Sequence, residues 1–204
     1  LFGMNIEDAS IAIQGYGNVG ANAALILGKM GGKIVAISDS KGGIYSKDGI
    51  DPQAALSHKA ETGSAIGLKG CELISNEDLL ALGCDILIPA ALESVITLSN
   101  ASNVKAKIVV EGANGPTTTE ADEILNANKV LVVPDILANA GGVVVSYLEW
   151  VQNLHREFWA EDEVNSRLEE RMVASFDHVF KLAQESGRSM RTSALVLAIG
   201  RVAE

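Results

Sequence analysis

A glycine-rich turn between a predicted strand and a predicted helix constrains this chain more than any other feature of its sequence. The turn has the spacing G-x-G-x-x-G and follows a short apolar run that ends at Gln14. Its first glycine permits a tight turn, its second lets a pyrophosphate approach the main chain, and its third lets the helix pack closely on the strand. The start of the helix also presents amide donors to an anion. We therefore predict a phosphate-binding turn made by Gly15, Tyr16, Gly17, Asn18, Val19 and Gly20.

An acidic residue follows at the distance that a dinucleotide-binding turn requires. Asp39 lies about 20 residues after Gly20, where an acid bonds the hydroxyls of the adenosine ribose. A carboxylate there disfavours the 2′-phosphate of NADP, whereas Ser40 and Lys41 offer that phosphate partners. We predict NAD as the cofactor, with NADP as the open alternative. Asp39 serving only as a turn residue, and a flavodoxin-like fold with purely structural glycines, are the competing interpretations.

Short runs rich in Ile and Val recur along the first two thirds of the chain, and each is continuous rather than alternating. Such runs are typical of strands buried on both faces of a parallel sheet. They are Ile11–Gln14, Lys33–Ser38, Asp85–Ile88, Lys107–Val110 and Val130–Val133. Helical patterns alternate with them at Asn18–Met30, Pro52–Thr62, Asn76–Ala81 and Thr119–Ala127. The alternation predicts a Rossmann-like, doubly wound α/β fold with a mostly parallel sheet, and turn residues around Ile44 and Tyr45 indicate an added hairpin.

The pattern changes after Val133 from alternating strands and helices to consecutive helices. Apolar residues at spacings of three and four predict a long helix from Ala140 to Phe158. Two further helices are predicted at Asp162–Ser186 and Met190–Glu204. We therefore divide the chain into an α/β core, residues 1–139, and a group of C-terminal helices, residues 140–204.

Composition and charge exclude several classes of function. The formal net charge is −10, and nucleic-acid phosphates require a basic surface, so we predict no nucleic-acid partner. No apolar run of roughly 18 residues and no signal-peptide pattern is present, so we predict no membrane span and a cytoplasmic location. Cys71, Cys84 and the three histidines lack the spacing of metal ligands, so we predict reduced thiols and no metal site.

Three further motifs, together with the glycine turn, resemble the Glu/Leu/Phe/Val dehydrogenase family and its glutamate dehydrogenases in particular. They are P-A-A-L-E at 89–93, V-E-G-A-N-G-P-T-T at 110–118 and V-P-D-I-L-A-N-A-G-G at 133–142. The resemblance covers essentially the whole chain and is closest to the C-terminal dinucleotide-binding domain of that family. It implies a part in the NAD(P)-dependent oxidative deamination of L-glutamate to 2-oxoglutarate and ammonia.

Small residues and asparagines follow the ends of the predicted strands. Ala90 and Ala91 leave room for a flat cofactor in the crevice beyond the carboxyl ends of parallel strands. Asn114 and Asn139 follow later strands, and the resemblance implies that their amides contact the nicotinamide or the adjoining ribose. An asparagine that only satisfies loop backbone groups is the alternative interpretation for both.

Ser146 is the one residue that we predict to contact the substrate. The segment V-S-Y-L-E-W at 145–150 resembles the family segment that supplies a serine to the side-chain carboxylate of glutamate. A hydroxyl donor near a helix N-terminus suits an anion. The resemblance implies an apolar residue at this position in family members that act on branched or aromatic amino acids. An ordinary exposed helix serine is the alternative.

The resemblance also indicates what this chain lacks. Family members carry the activating lysine and a partner aspartate in a separate N-terminal domain, so we predict no catalytic residue here and no activity of the chain alone. The start at Leu1 and the helical pattern that continues to the last residue indicate a piece of a longer protein. The C-terminal helices are then expected to pack toward the missing N-terminal domain, and the whole protein to form a homo-oligomer, a hexamer in the full-length family. Another amino-acid dehydrogenase, or a non-catalytic NAD-sensing module, is the alternative function.

Overall fold

The computed structural model describes residues 3–203, and the chain forms two compact units. The first unit ends at Val132 and the second begins at Val133. The strands are β1 (Ser10–Gln14), β2 (Lys33–Asp39), β3 (Gly42–Tyr45), β4 (Glu72–Ile74), β5 (Ile86–Pro89), β6 (Ile108–Val110) and β7 (Leu131–Val133). Within the described range they form one seven-stranded sheet of order β4-β3-β2-β1-β5-β6-β7.

The centre of this sheet is parallel, as the continuous apolar runs predict. β1 pairs in parallel with β2 and with β5, and β5 pairs in parallel with β6. The predicted hairpin is confirmed, because β3 returns antiparallel to β2. β4 then pairs antiparallel with β3 and was not predicted. Glu72 and Leu73 are exposed on this edge strand, so β4 lacks the buried apolar run that identifies the other strands.

Helices cover both faces of the sheet, which confirms the doubly wound fold. They are α1 (Asn18–Lys29), α2 (Pro52–Thr62), α3 (Asn76–Leu80) and α4 (Thr119–Ala127). One apolar layer joins β1 to α1 and α2 through Ile11, Ile13, Ala24 and Ala55. The other joins β1 to α3 and α4 through Ala12, Leu79 and Leu125. Successive residues of β1 therefore face opposite layers, so Gln14 is placed on the same face as Ala12.

The second unit is helical. Its helices are α5 (Asp135–Ala138), α6 (Gly141–His155), α7 (Glu161–Ser186) and α8 (Met190–Ala203). The short α5 was not predicted, and the prediction that α6 continues to Phe158 is wrong. α6 ends at His155 because Arg156 adopts a left-handed conformation with φ 57°, and Phe158 is 96% exposed in the following loop. Glu204, the last residue of the third predicted helix, lies outside the described residues.

Apolar side chains remain on the surface of this second unit. The most exposed of them on or beside the helices are Val143, Trp150, Leu154, Phe158, Ile199 and Val202. None of the helices within residues 3–203 has both the length and the apolar character that crossing a membrane requires.

Asp85, which directly precedes β5, connects the starts of three neighbouring strands. Its Oδ2 accepts hydrogen bonds from the amide and the hydroxyl of Ser10 at 2.9 and 2.6 Å, and its Oδ1 accepts one from Lys107 Nζ at 2.7 Å. The bond from Lys107 is the largest of the effects that lower the pKa of Asp85 to about 2, followed by the bonds from Ser10. The carboxylate therefore holds the starts of β1, β5 and β6 together.

We expect Asp85 to stabilise the fold only while it is ionised. A carboxyl whose pKa falls on folding contributes stability above its unfolded pKa, and this contribution disappears as the pH falls through the folded value of about 2. Asp85→Asn should lower the free energy of unfolding at pH 7 by roughly 1–2 kcal/mol, since Lys107 is largely exposed and its charge is screened. The difference between variant and wild type should shrink between pH 4 and pH 2. Urea unfolding at each pH measures this, with Asp48→Asn in an exposed loop as the control. A difference that does not change with pH would contradict the assignment.

Candidate nucleotide site

The glycine turn connects the end of β1 to the start of α1. Gly15 has a φ of 98°, which favours glycine, and both the Gly15 and the Tyr16 amides donate to the carbonyl of Ser38, at 3.1 and 2.6 Å. Gly17 is the N-cap of α1 in an extended conformation, without a side-chain cap. The first turn of this 12-residue helix is therefore directed at the space beyond the turn, where an anion would meet its amides.

The three motif glycines differ in what a side chain would meet. A Cβ on Gly15 would lie 2.6 Å from Ala91 Cβ, and one on Gly20 would lie 1.9 Å from the carbonyl oxygen of Gly15. At Gly17, by contrast, no heavy atom of the described chain lies within 4 Å of the Cβ position. Packing within the protein thus explains why residues 15 and 20 are glycines. At Gly17 the surface has room for a bound group.

Residues of helix α2 form hydrogen bonds with Tyr16 of the turn. The ring of Tyr16 is buried, and its hydroxyl donates to the carbonyl of Pro52 at 2.7 Å. Burial, with a smaller effect of Asp51, raises the pKa of Tyr16 to about 12. Lys59 Nζ donates to the main-chain carbonyl of Tyr16. The side chain of Tyr16 therefore belongs to the core, and Tyr16 faces the site through its main chain.

Asp39 ends β2 and is held by the loop that follows α2. Its Oδ2 accepts from the Ala65 amide at 2.7 Å and the Ser64 hydroxyl at 2.9 Å, and its Oδ1 accepts from the Lys41 amide at 2.9 Å. Partial burial raises the pKa of Asp39, but these bonds and the charge of Lys59 outweigh that effect and place the pKa below its ordinary value. Asp39 is thus an ionised carboxylate with much of its acceptor capacity already in use.

A cleft of about 1050 Å³ opens beside the turn, at the carboxyl ends of β1, β2 and β5. The predicted residues that line it are Gly15, Tyr16, Gly17, Asp39, Ser40, Ala90 and Ala91. Asn18, Val19 and Gly20 form the adjoining first turn of α1. The structure therefore brings together the two parts that the sequence placed separately, the glycine turn and the acid at the end of β2.

Further residues line the same cleft. One of them, Lys41, was predicted as a partner for a 2′-phosphate. The others were not predicted as site residues and include Gln14, Lys59, Leu73, Ile74, Asn76 and Leu92. Gln14 directly precedes the turn, so its position could be read from the sequence. Lys59 comes from α2, and Leu73 and Ile74 come from the unpredicted β4. Their approach depends on the tertiary fold.

The loop after β6 is fastened to the end of β5. The amides of Gly112 and Ala113 both donate to the carbonyl of Pro89, at 3.0 and 2.9 Å. A Cβ on Gly112 would lie 3.2 Å from Ala90 Cβ and 3.4 Å from Val19 Cγ1. Close packing therefore accounts for the small residues here, and it places Asn114, which follows at once and is exposed, beyond the end of β6.

Two predicted residues lie in the second unit. Asn139 is the C-cap of α5, and its amide donates to the carbonyl of Asp135 at 3.0 Å. Ser146 is exposed in the second turn of α6, and its hydroxyl donates to the carbonyl of Gly142 at 3.0 Å. The Ser146 hydroxyl therefore lies near the N-terminus of its helix, as predicted.

The parallel sheet, the glycine turn at a helix N-terminus and the acid at the end of β2 define a Rossmann-like domain of the dinucleotide-binding type. Comparison with known proteins gives the family. The model of the Glutamate/Leucine/Phenylalanine/Valine dehydrogenase family matches residues 2–204. The chain belongs to this family.

Individual relatives agree with the family assignment. The chain is 52% identical over 204 residues to a glutamate dehydrogenase of Thermotoga maritima, covering 100% of this chain and 49% of that protein. It is 48% identical over 202 residues to the NADP-specific glutamate dehydrogenase A1 of Halobacterium salinarum, covering 98% and 48%. The chain thus spans about half the length of the curated relatives that it matches.

Solved structures show the same relationship. The Leu-bound hetero-hexameric glutamate dehydrogenase of Thermus thermophilus superposes with a TM-score of 0.91 at 38% identity, over 98% of this chain and 47% of that one. The glutamate dehydrogenase of Peptoniphilus asaccharolyticus gives 0.83 at 37% identity, with the same coverage of both chains. The fold predicted from the sequence is therefore found in the nucleotide-binding family to which its motifs point.

Proposed function

We propose that this chain is the cofactor-binding part of an oxidoreductase that converts L-glutamate and water to 2-oxoglutarate and ammonia with NAD(P). The observation that carries the proposal is the open surface at Gly17, at the N-terminus of α1, in a chain of this family. Protein packing does not require a glycine there, whereas the approach of a pyrophosphate does. The bound dinucleotide would supply the hydride acceptor.

Each part of the chain has a role in this proposal. The amides of the glycine turn and the first turn of α1 hold the pyrophosphate, and Asp39 bonds the adenosine ribose. Ala90 and Ala91 leave room for the cofactor. Asn114 and Asn139 contact its nicotinamide half, and Ser146 donates to the side-chain carboxylate of glutamate.

The cleft supports NAD as the cofactor while also admitting NADP. The ionised Asp39 favours a free ribose hydroxyl. Lys41 and Lys59 nevertheless line the same cleft. Asp39 Oδ2 already accepts hydrogen bonds from Ser64 and Ala65, so it has less capacity left to bond the ribose. Ammonium groups in such a position are suited to a 2′-phosphate.

Lys41→Met should therefore weaken the binding of NADPH about 10-fold while changing that of NADH less than about 2-fold. The substitution removes the ammonium group and keeps the main-chain amide that donates to Asp39. Calorimetric titration with both nucleotides measures the effect, and Lys69→Met, exposed outside the cleft, is the matched control. An equal loss for NADH and NADPH would show that Lys41 does not contact the 2′-phosphate.

The remainder of the enzyme is proposed from the length of the relatives. Because they are about twice as long as this chain, we place the activating lysine and its partner aspartate in their other half. Exposed apolar side chains of the helices in residues 140–204 would pack toward that domain. We further propose a homo-oligomer, a hexamer by analogy with the hetero-hexameric Thermus thermophilus enzyme, and a cytoplasmic location as expected from the sequence.

A chimeric enzyme tests the proposed function. This chain would replace the matching half of the Thermotoga maritima relative, to which it is 52% identical. We expect glutamate-dependent reduction of NAD or NADP, and much slower reaction with leucine or phenylalanine. Preference for leucine or phenylalanine would favour another amino-acid dehydrogenase. A folded chimera that binds nucleotide but oxidises no amino acid would favour a nucleotide-sensing module.

A further inference from the structure

Gln14 carries a hydrogen-bonding atom that the protein does not satisfy. It is the last residue of β1, is 4% exposed, and lines the nucleotide cleft. No donor within residues 3–203 bonds its Oε1. Buried acceptors normally have a partner, because burying a polar atom without a hydrogen bond is unfavourable. A partner for Gln14 is therefore expected from outside the described protein atoms.

The neighbouring polar groups are already paired with one another. Strand register places Gln14 between Ser38 of β2 and Pro89 of β5. The Ser38 hydroxyl donates to Asn76 Oδ1 at 3.0 Å and accepts from the Gly15 amide at 3.3 Å. Pro89 has no amide hydrogen to offer. The amide oxygen of Gln14 is thus a buried acceptor in the cleft wall that has no hydrogen-bond donor among the described residues.

The surroundings of this acceptor are suited to a flat, partly apolar group. Leu73 of β4 and Leu92, which follows β5, line the cleft and are 69% and 70% exposed. Ile74 lines it beside them. Apolar walls with a few placed polar groups are typical of sites that bind small planar ligands. Asp39 lies at the end of the adjacent β2, where an acid bonds the adenosine ribose, so this part of the cleft faces the adenosine half of the dinucleotide rather than its nicotinamide half.

We propose that the amide oxygen of Gln14 accepts a hydrogen bond from the adenosine half of the bound dinucleotide and so selects it. The donor is the exocyclic amine of adenine or a ribose hydroxyl, both of which present an N–H or O–H group to the cleft. This inference rests on the proposed function and assigns a specificity-determining residue within it. Gln14 takes no part in the transfer of hydride.

Nucleoside diphosphates test the proposal and separate the two donors. Calorimetry with the 204-residue chain would compare ADP with inosine diphosphate, which has a carbonyl in place of the amine, and with 2′-deoxy-ADP and 3′-deoxy-ADP. We expect one of these changes to weaken binding to the wild type about 10-fold, the effect of one hydrogen bond. Weaker binding of inosine diphosphate identifies the amine, and weaker binding of a deoxy analogue identifies the ribose.

Variants then connect the discrimination to Gln14. Gln14→Leu, and Gln14→Met as an unbranched replacement closer in shape to glutamine, should bind ADP about 10-fold more weakly and lose the discrimination that the wild type shows. Thr117→Val is the matched control, because Thr117 Oγ1 is likewise buried and lacks a partner among the described residues but lies outside the cleft. It should leave the affinities unchanged.

Two results would overturn the role of Gln14. One is a wild type that binds all four diphosphates equally, and the other is a Gln14→Leu or Gln14→Met chain that keeps the wild-type ratio. If the Gln14 variants change only in thermal stability and keep the wild-type ratio of affinities for ADP and its analogues, the proposed role is likewise wrong and Gln14 serves only to stabilise the fold. Failure of the wild type to bind NADH or ADP at all would instead remove the proposed function, and the Gln14 role with it.

Discussion

Gly17→Val should abolish nucleotide binding while leaving the chain folded. Gly17 has a φ of −88°, which valine adopts readily, and the described protein has no heavy atom within 4 Å of the new Cβ. The cost to stability is then limited to a poorer helix N-cap, about 1 kcal/mol. A pyrophosphate, however, must approach the main chain at this residue, and the valine side chain fills that space. We expect affinity for NADH to fall at least about 100-fold, which corresponds to roughly 2.7 kcal/mol.

Gly20→Ala is the contrasting substitution in the same motif. Its Cβ would lie 1.9 Å from the carbonyl oxygen of Gly15 and 3.0 Å from Ile13 Cγ2, so α1 must move away from β1. We expect a loss of about 3 kcal/mol in the free energy of unfolding. Calorimetry with NADH and urea unfolding of both variants separate the two effects. If Gly17→Val binds NADH like the wild type, the turn does not hold the pyrophosphate. If it loses as much stability as Gly20→Ala, its glycine is structural.

The parallel core of the fold could be predicted because its strands are buried on both faces. Ile11–Gln14 is continuously apolar up to its last residue for this reason, and the strand it predicts begins one residue earlier, at Ser10. β4 was not predicted because it is an edge strand with exposed residues, and among the described strands it pairs only with β3. α6 ends early because Arg156 turns left-handed, although arginine carries no sequence signal for that conformation.

The candidate site shows the same division between local and tertiary information. The spacing of Gly15, Gly17 and Gly20 is local, so the turn and its helix were predictable. The inward direction of the Tyr16 ring depends on a carbonyl of α2, and the approach of Lys59 depends on the packing of α2 against the turn. Gln14 directly precedes the recognisable motif, yet its proposed role depends on the fold, which pairs the neighbouring polar groups with each other.

Ser146→Ala should impair the reaction of the chimeric enzyme with glutamate far more than its stability. Ser146 is exposed, and its hydroxyl donates only within its own helix, to Gly142. Alanine preserves or improves the helix, so the free energy of unfolding should change by less than about 0.5 kcal/mol. In the proposed function the hydroxyl rotates from Gly142 to the side-chain carboxylate of the substrate. A hydrogen bond to a charged group is worth about 1.5–3 kcal/mol, so kcat/KM for glutamate should fall roughly 10- to 150-fold.

The chain supplies a control of the same chemistry. Ser186 on α7 is also exposed, and its hydroxyl makes the same bond to the carbonyl four residues earlier, that of Leu182, at 2.6 Å. Ser186→Ala should leave kcat/KM unchanged, because it removes an equivalent helix bond away from the substrate. Ser146→Val should in addition raise the ratio of leucine to glutamate turnover, since an apolar side chain then faces the end of the substrate. Equal losses for glutamate and leucine in Ser146→Ala would mean that Ser146 does not contact the carboxylate, and that glutamate is selected by residues outside this chain.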